Sequence, residues 1–317
     1  MEDINEILHN AFYKEAIEEK RSVESNGWKL AHYTTASVAY DILKNKEFWL
    51  RKPKLMNDFL ELEYGITLLE RALTSAPGDR LKCFLNNLGF DLRETFVEIL
   101  RNQLDNVKNK TYIGSFSLHK PQEDDGLGRL SMWRAYGGQN GVAIVMDPAV
   151  FGGDRDTGSI YSAPVSYLDQ SGLDNRLNTI IDRLESRMDL IRSNKNVFIS
   201  SLNHYFETSI ISIKHPGFHE EREWRVFQNE AIDHALDSSL KCEVMVVRGL
   251  PQLVMKIQLQ DSEDSAPLNP NNLIQKIIIG PSEDGATLKE ALEVVLEKAN
   301  IDNSKVQILV SDIPLRQ

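Results

Sequence analysis

The sequence predicts an α+β fold with a mixed, mainly antiparallel β-sheet core and helical insertions. Short segments rich in β-branched and aromatic residues, such as 112–118 and 141–147, are typical of strands. Two long regions, near 58–106 and 171–213, instead repeat apolar residues every three or four positions, as amphipathic helices do. No internal repeat or low-complexity linker divides the chain. We therefore expect one α+β domain over 26–317, with residues 1–25 forming a helix that packs on it.

The first part of the chain alternates between helix and strand. Residues 2–20 carry an apolar helical face, and WKLAHYT at 28–34 is a short aromatic and β-branched strand. A short helix over 38–43 and a second strand, EFWLR at 47–51, follow. Asn57 or Asp58 is suited to cap the next helix, because a short polar side chain can accept a hydrogen bond from the first helical N–H groups.

The remaining elements follow the same two periodicities. Helical stripes occupy 80–88, 92–104, 173–191, 197–213 and 286–299, and strands are predicted at 159–167, 221–228, 241–248, 253–259, 274–280 and 305–311. The last helix and strand hold few candidate site residues. We therefore expect them to be scaffold, and substitutions at Lys289 or Glu293 to leave any activity unchanged.

The composition is that of an ordinary globular protein. The 317 residues include 41% hydrophobic and 26% charged side chains, and no apolar run approaches the length that spans a bilayer. The N-terminus is acidic where a signal peptide would be basic, so a cytoplasmic location is expected. Cys83 and Cys242 show no metal or redox spacing and are expected to be reduced and structural. The net charge of −11 disfavours a broad nucleic-acid-binding surface. Any nucleic acid would have to bind as a substrate at a local site.

The stretch 112–147 is the most informative part of the sequence. Its two strands flank a polar, glycine-rich loop that carries Trp133, Arg134 and Tyr136. Flat rings beside a cation suit a planar, negatively charged ligand. A surface loop held to the core by two aromatic side chains explains the same residues equally well.

Two further candidate places lie early in the chain. His32, followed by Tyr33 and Thr34 at a strand end, can hydrogen-bond a ribose hydroxyl through one ring nitrogen while the neighbouring main chain holds an amide. A buried structural histidine is the alternative. Arg51 can clamp a phosphate, although it and the acidic residues after it could equally be a solvated helix start.

A third candidate lies on the strand at 221–228. Glu221 and Glu223 stand beside Trp224, and a carboxylate beside an aromatic ring can stabilise a developing oxocarbenium cation or act as a base. The alternative is an exposed strand with weak salt bridges to Arg222 and Arg225.

Several familiar sites are missing from the sequence. It holds no Gly-Lys-Ser/Thr phosphate loop and no serine nucleophile elbow, and GLG at 126–128 lacks the third glycine of a dinucleotide motif. His215 and His219 are separated by Pro216 and Gly217, which prevents a helical pair of metal ligands. No metal site is predicted.

The order of several segments resembles a bacterial family known only as domain of unknown function family 2971. The segments are HYTT, FWLRKPKLMNDFLELEYG, SFSL, SMWRAYGGQNGVAIVMD, EREWRVF, IIIGPSEDG and LVSDIPLR, in this order across 28–316. The layout also resembles, more loosely, the ADP-ribosyltransferase superfamily, with a histidine on the first strand, aromatic residues around a central strand pair and a glutamate on a later strand. An ADP-ribosyltransferase-like sheet is the fold that this implies.

The superfamily resemblance also implies roles for individual residues. His32 would bind the ribose of NAD, Tyr136 or Trp133 would stack on nicotinamide, and Glu223, or else Glu221, would promote cleavage of the nicotinamide–ribose bond. Tyr33, Thr34, Arg51 and Ser117 would complete the NAD site. NAD would be a substrate, and the acceptor an unknown protein or nucleic acid.

Three hypotheses for function remain. The first is an NAD-consuming enzyme, an ADP-ribosyltransferase or NAD glycohydrolase acting as a toxin or defence effector. The second is a non-catalytic binding or regulatory module, and the third is a metal-dependent nuclease built on Asp58, Glu61, Glu221 and Glu223. The first requires His32, Arg51, Ser117, Trp133, Tyr136 and Glu223 to line one cavity. It fails if Glu223 and His32 lie on opposite faces of the sheet.

Overall fold

The computed structural model of the chain describes residues 3–55, 59–90, 107, 109–148, 160–229, 240–247, 249–259 and 268–314, and of residues 55, 59 and 60 the main chain alone. Asn57 and Asp58, the predicted cap, and the predicted helix at 92–104 lie outside this part of the chain. Because Asp58 is not described, the structure cannot place this member of the hypothetical nuclease site.

The described residues form twelve strands. They are β1 (Lys29–Thr35), β2 (Glu47–Arg51), β3 (Thr111–His119), β4 (Gly141–Met146), β5 (Tyr161–Pro164), β6 (Ser166–Tyr167), β7 (Ile213–Lys214), β8 (Glu223–Asn229), β9 (Leu240–Val247), β10 (Leu250–Gln258), β11 (Ile274–Ile279) and β12 (Gln307–Val310). Ten of them build one sheet in the order β12-β11-β4-β1-β3-β2-β10-β9, with β8 paired to β3 and β5. Within this sheet β11 and β12 are parallel, and the other described pairs are antiparallel. The predicted α+β class and mainly antiparallel sheet are confirmed.

Helices pack on both faces of this sheet. They are α1 (Ile4–Ser25), α2 (Ala36–Asn45), α3 (Phe59–Leu73), α4 (Ala76–Asn87), α5 (Pro121–Asp124), α6 (Leu130–Met132), α7 (Gln170–Glu185), α8 (Met188–Ser193), α9 (Lys195–Ser212), α10 (Pro270–Leu273) and α11 (Gly285–Lys298). One π-helical turn, Trp133–Gly137, continues α6, and a 3₁₀ turn, Pro216–Glu221, leads into β8. The helices supply the apolar surface that each face of the sheet needs to be buried.

Two large cores lie on opposite sides of the sheet. On one side, α2 and α11 bury residues such as Ile42 and Leu292 against strand residues such as Phe116. On the other, α1, α3, α4, α7 and α9 form a helical layer over β3, β5 and β8. Phe12 of α1 stacks on Tyr205 of α9, with ring centroids 5.2 Å apart, so the N-terminal helix packs on this layer.

Two predicted elements are interrupted. The strand expected at 159–167 is divided into β5 and β6 after Pro164. The helix expected at 173–191 ends at Glu185 and restarts at Met188. Leu184 and Ile191 are both buried, so the apolar period continues across the break and does not mark it.

The sheet opens beside the middle of β3. β1 pairs with β3 only at residues 117–119, and β2 pairs with β3 only at Ile113. Between these points β1 and β2 diverge, while the opposite edge of β3 remains paired with β8. The edge of β3 near Ser115 therefore faces a gap instead of a neighbouring strand.

Candidate functional site

A cavity of about 620 Å³ opens at this gap. This volume is within the range of small-molecule and cofactor sites. Its walls come from β1, the start of α2, β2, β3, the turn containing Tyr136, the end of the 3₁₀ turn, the start of β8 and the tip of β9. The predicted site residues that border it are His32, Tyr33, Thr34, Arg51, Ser117, Tyr136, Glu221 and Glu223.

His32 stands at the gap between β1 and β3. Its Nδ1 lies 3.1 Å from the main-chain oxygen of Ser115. A carbonyl oxygen only accepts, so Nδ1 carries the proton and donates. Burial lowers the pKa of His32, and the ring is therefore neutral near pH 7. Nε2 of the neutral ring is an acceptor, so the residue can receive a hydrogen bond from a ligand hydroxyl.

Arg51 and Tyr136 border the cavity from different walls. The Nε of Arg51 donates to Oε1 of Gln252 at 3.1 Å, which holds the guanidinium group against β10. Tyr136 lies on the π-helical turn, and its side chain is 37% exposed. The cavity therefore has a cation on one wall and an accessible ring on another.

A buried cluster of charged side chains lies at one end of the cavity, where β8 begins. Nζ of Lys214 is 2.8 Å from Oε1 of Glu61, 2.6 Å from Oε2 of Glu221 and 3.1 Å from Oε2 of Glu223. Nε of Arg225 is 2.8 Å from Oε1 of Glu223, and its Nη2 is 2.6 Å from Oε2 of Glu61. Three carboxylates and two cations leave the cluster with one net negative charge.

Glu223 is the most enclosed carboxylate of this cluster. Its side chain is 5% exposed, whereas that of Glu221 is 19% exposed. Burial raises the pKa of Glu223, but Arg225 and Lys214 outweigh that effect and lower it to about 2. Both oxygens of Glu223 accept hydrogen bonds from Arg225, and one also accepts from Lys214. Glu223 is therefore ionised but enclosed by its own partners.

Glu221 has a different environment. Its carboxylate accepts from Lys214 through Oε2, and its main-chain oxygen accepts from Oγ of Ser117 at 2.5 Å and from Nη2 of Arg129 at 3.0 Å. Arg222, the next residue, has φ 45° and ψ 47°. This left-handed conformation interrupts the regular alternation of side chains between the two faces of the strand. The side-chain direction of Glu221 therefore does not follow from that of Glu223 in β8.

The strand register places His32 and Glu223 on alternate faces of the regular sheet. Ala31 pairs with Ser117, and Ser117 pairs with Glu223, so His32 has the opposite parity to Glu223. Both nevertheless border the cavity, because it lies where β1 has left β3. The stated condition for failure is therefore met for Glu223, and the expectation that Glu223 acts together with His32 is wrong. The NAD hypothesis remains only with Glu221, the alternative carboxylate, facing the ligand.

The structure does not place Trp133 in the cavity. Its ring is 2% exposed, packs against Tyr33 with centroids 4.8 Å apart, and donates from Nε1 to the main-chain oxygen of Leu127 at 2.9 Å. These two rings join Met132, Ala143 and other residues in a third, smaller core. The expectation that Trp133 lines the site is wrong, and its ring instead holds the loop to the core, as the alternative interpretation expects for this residue.

Glycines surround the Trp133 ring closely. A Cβ atom would come within 2.5 Å of the ring at Gly128, 2.9 Å at Gly280 and 3.0 Å at Gly141. An aromatic ring among glycines therefore serves packing here. In the sequence, the same combination of glycines and an aromatic ring is also compatible with a ligand site, because small residues beside a ring are typical of binding loops.

The close packing around Trp133 leads to a stability prediction. Gly280→Ala should lower the free energy of unfolding by about 1–3 kcal/mol, because the new methyl group meets a ring that cannot move. Urea denaturation measures this change. Gly217→Ala is the control, since its methyl would approach only the exposed His215 ring, 3.1 Å away. Equal losses in the two variants would contradict the packing role.

Three of the four residues of the nuclease hypothesis meet, but around a protein cation. Glu61, Glu221 and Glu223 all contact Lys214 Nζ, which occupies the position between them that a metal ion would need. Within the described part of the chain, no group of three histidine, cysteine, aspartate or glutamate side chains is arranged to hold a metal ion. The arrangement of these glutamates therefore favours a salt-bridge cluster.

Sequence reasoning missed the residues that support the glutamates. Lys214 lies in a two-residue strand before a Pro-Gly turn, and Arg129 lies in the loop after α5, where neither has a periodic signal. The sequence predicts Arg225 as an exposed salt-bridge partner, yet its side chain is 2% exposed. The sequence does contain one signal for a buried Arg225: strand alternation places it on the same face as Glu223 and the apolar Phe227.

A family model matches the part of the chain that carries several of these residues. Residues 132–226 match the model of a protein family of unknown function, DUF2971. The DUF2971 match includes Tyr136, Lys214, Glu221 and Glu223, but not His32 or Arg51. No curated protein matched the chain, and no solved structure matched it.

Two other expectations concern the surroundings of the protein. Among the described helices, none is both long enough and apolar enough to cross a membrane. Cys83 and Cys242 are both exposed free thiols, in agreement with the expected reduced state and not with a place in the core.

Proposed function

We propose that the protein is an NAD-consuming enzyme, an ADP-ribosyltransferase or NAD glycohydrolase, and that NAD occupies the cavity at the opening of the sheet. One observation carries this proposal. A neutral histidine acceptor, an accessible tyrosine ring and a carboxylate border one cavity, although they come from distant segments of the chain. Chance convergence of such groups is rare.

The chemistry requires stabilisation of a cation. When the nicotinamide–ribose bond breaks, its electron pair leaves with nicotinamide, and positive charge develops on the ribose. A fixed carboxylate lowers the energy of that transition state more than that of bound NAD. The acceptor, water or a nucleophilic group, then bonds to the ribose carbon and releases its proton to solvent.

Each wall of the cavity supplies one part of this mechanism. His32 Nε2 accepts a hydrogen bond from a ribose hydroxyl, Arg51 pairs with a phosphate and Tyr136 stacks on nicotinamide. Thr34 and Tyr33 border the cavity from the same strand as His32. Ser117 acts through the carbonyl of Glu221 instead of on NAD. The net negative charge of the glutamate cluster favours the developing cation.

Glu221 is the carboxylate that we assign to the ribose. It is more exposed than Glu223 and has one described cation partner, whereas Glu223 is surrounded by Lys214 and Arg225. The same enclosure of Glu223 supports a second candidate function, a non-catalytic binding module in which the cluster only holds the cavity wall. Binding of NAD without cleavage would distinguish that module from the enzyme.

Binding of NAD tests the proposed site directly. His32→Ala should weaken NAD binding by roughly fivefold, which corresponds to the loss of one hydrogen bond of about 1 kcal/mol. Isothermal titration calorimetry of the wild-type protein and this variant measures the effect. His9→Ala, an exposed histidine on α1, is the matched control. Equal affinities of the wild-type protein and His32→Ala would remove His32 from the site, and no binding to the wild-type protein would refute the proposal.

A further inference from the structure

The side chain of Lys214 is the centre of the glutamate cluster. Its Nζ lies within 3.1 Å of oxygens from Glu61, Glu221 and Glu223, and the side chain is 1% exposed. These glutamates belong to α3, to the 3₁₀ turn and to β8. Lys214 thus links three separate elements at the end of the cavity.

We propose that Lys214 is a positioning residue for NAD cleavage, whose ammonium group fixes the Glu221 carboxylate at the cavity wall and limits the cluster to one net negative charge. This inference rests on the proposed function. Lys214 itself is too enclosed to touch NAD. It acts through Glu221. Its ammonium group is fixed by three carboxylates at once, and it therefore also fixes the position of the Glu221 carboxylate.

The surroundings of Lys214 keep it charged. Burial disfavours its charged form, but Glu223, Glu221 and Glu61 outweigh that effect and raise its pKa above the ordinary value. Among the described residues, other groups near the cluster include Arg225, the ring of Phe218 at 4.9 Å from Nζ, and the hydroxyl of Tyr167, which accepts from the Glu223 N–H. The cation of Arg129 also lies nearby, where its Nη2 donates to the main-chain oxygen of Glu221 at 3.0 Å. Burial raises the pKa of Tyr167 to about 12, so it stays neutral and does not replace the lysine charge.

Removal of the lysine charge has a predictable effect on pH dependence. In Lys214→Met, three carboxylates share one cation, Arg225, so they take up protons at higher pH. The acid limb of the pH–activity profile, where activity is lost as the pH falls, should therefore shift to higher pH by at least one unit relative to the wild-type protein. At pH 8, kcat should fall at least tenfold while KM for NAD changes less than twofold, because the lysine does not touch NAD.

Two further variants complete the experiment. Lys214→Arg keeps the charge but replaces a compact ammonium with a planar group, so it should restore the wild-type acid limb and still lower kcat at least fivefold. Lys289→Met, on the exposed face of α11, should match the wild-type protein throughout. If Lys214→Met does not fold, Lys214→Arg decides, and an unchanged kcat in that variant would overturn the inference.

Carboxyl NMR titration adds a measurement that does not depend on activity. The pKa of Glu223, about 2 in the wild-type protein, should rise in Lys214→Met. An unchanged titration, or an active Lys214→Met with wild-type kcat and pH profile, would overturn the role of Lys214 alone. A wild-type protein that releases no nicotinamide would instead refute the proposed function, even if the titration shifts as expected.

Discussion

The Glu221→Gln variant should release nicotinamide from NAD about 10²–10³ times more slowly than the wild-type protein, the usual effect of removing one preorganised electrostatic group. Glutamine has nearly the same shape as glutamate but lacks the charge that stabilises a ribose cation. The fold should survive, because Glu221 is partly exposed and Lys214 retains Glu61 and Glu223. Measurement of kcat at saturating NAD, together with Tm, tests both expectations.

The control for this variant is Glu293→Gln, an exposed glutamate on α11. It should have wild-type kcat and Tm. If Glu221→Gln keeps wild-type kcat, Glu221 does not face the reacting bond. Loss of activity together with collapse of Tm would show instead that Glu221 holds the structure.

The Glu223→Gln variant should mainly lose stability. Glu223 is nearly enclosed and accepts hydrogen bonds from Arg225 and Lys214, and breaking such a buried ion pair costs about 3–5 kcal/mol. Urea unfolding at pH 7 measures this loss. The comparison with Glu221→Gln separates the two glutamates, since we expect one to affect activity first and the other stability first.

The stability that Glu223 provides should also depend on pH. Its pKa is about 2 in the folded protein, against an ordinary value of 4.5. The contribution is therefore complete above about pH 4.5 and is lost as the pH falls toward 2. The difference in unfolding free energy between the wild-type protein and Glu223→Gln should be smaller at pH 3 than at pH 7. An equal difference at both pH values would contradict the ionised state of Glu223.

Local periodicity was sufficient to predict most elements of the fold. The strand predicted at 47–51 is present as β2, and the strand predicted at 221–228 is present as β8, two residues later at its start. The opening between β1 and β3 could not be predicted in this way. It depends on how Ala31 and Ile113 pair with distant segments, and no local pattern encodes that pairing.

The candidate site was predictable only in part. His32 and Glu221 were found because chemically versatile side chains stand out at strand ends. Lys214 was missed, since a buried cation is recognisable only once its three carboxylate partners are close in space. Trp133 was misassigned because an aromatic residue near glycines has the same sequence pattern in a ligand site and in a tightly packed core.

The most direct test of the proposed function is the release of nicotinamide from NAD by the purified wild-type protein, with and without cell lysate as a source of acceptor. The assay follows nicotinamide by chromatography, with Glu221→Gln measured in parallel. We expect release by the wild-type protein and a loss of about 10²–10³ in the variant. No release by the wild-type protein under either condition would contradict the account, and NAD binding without release would favour the binding module.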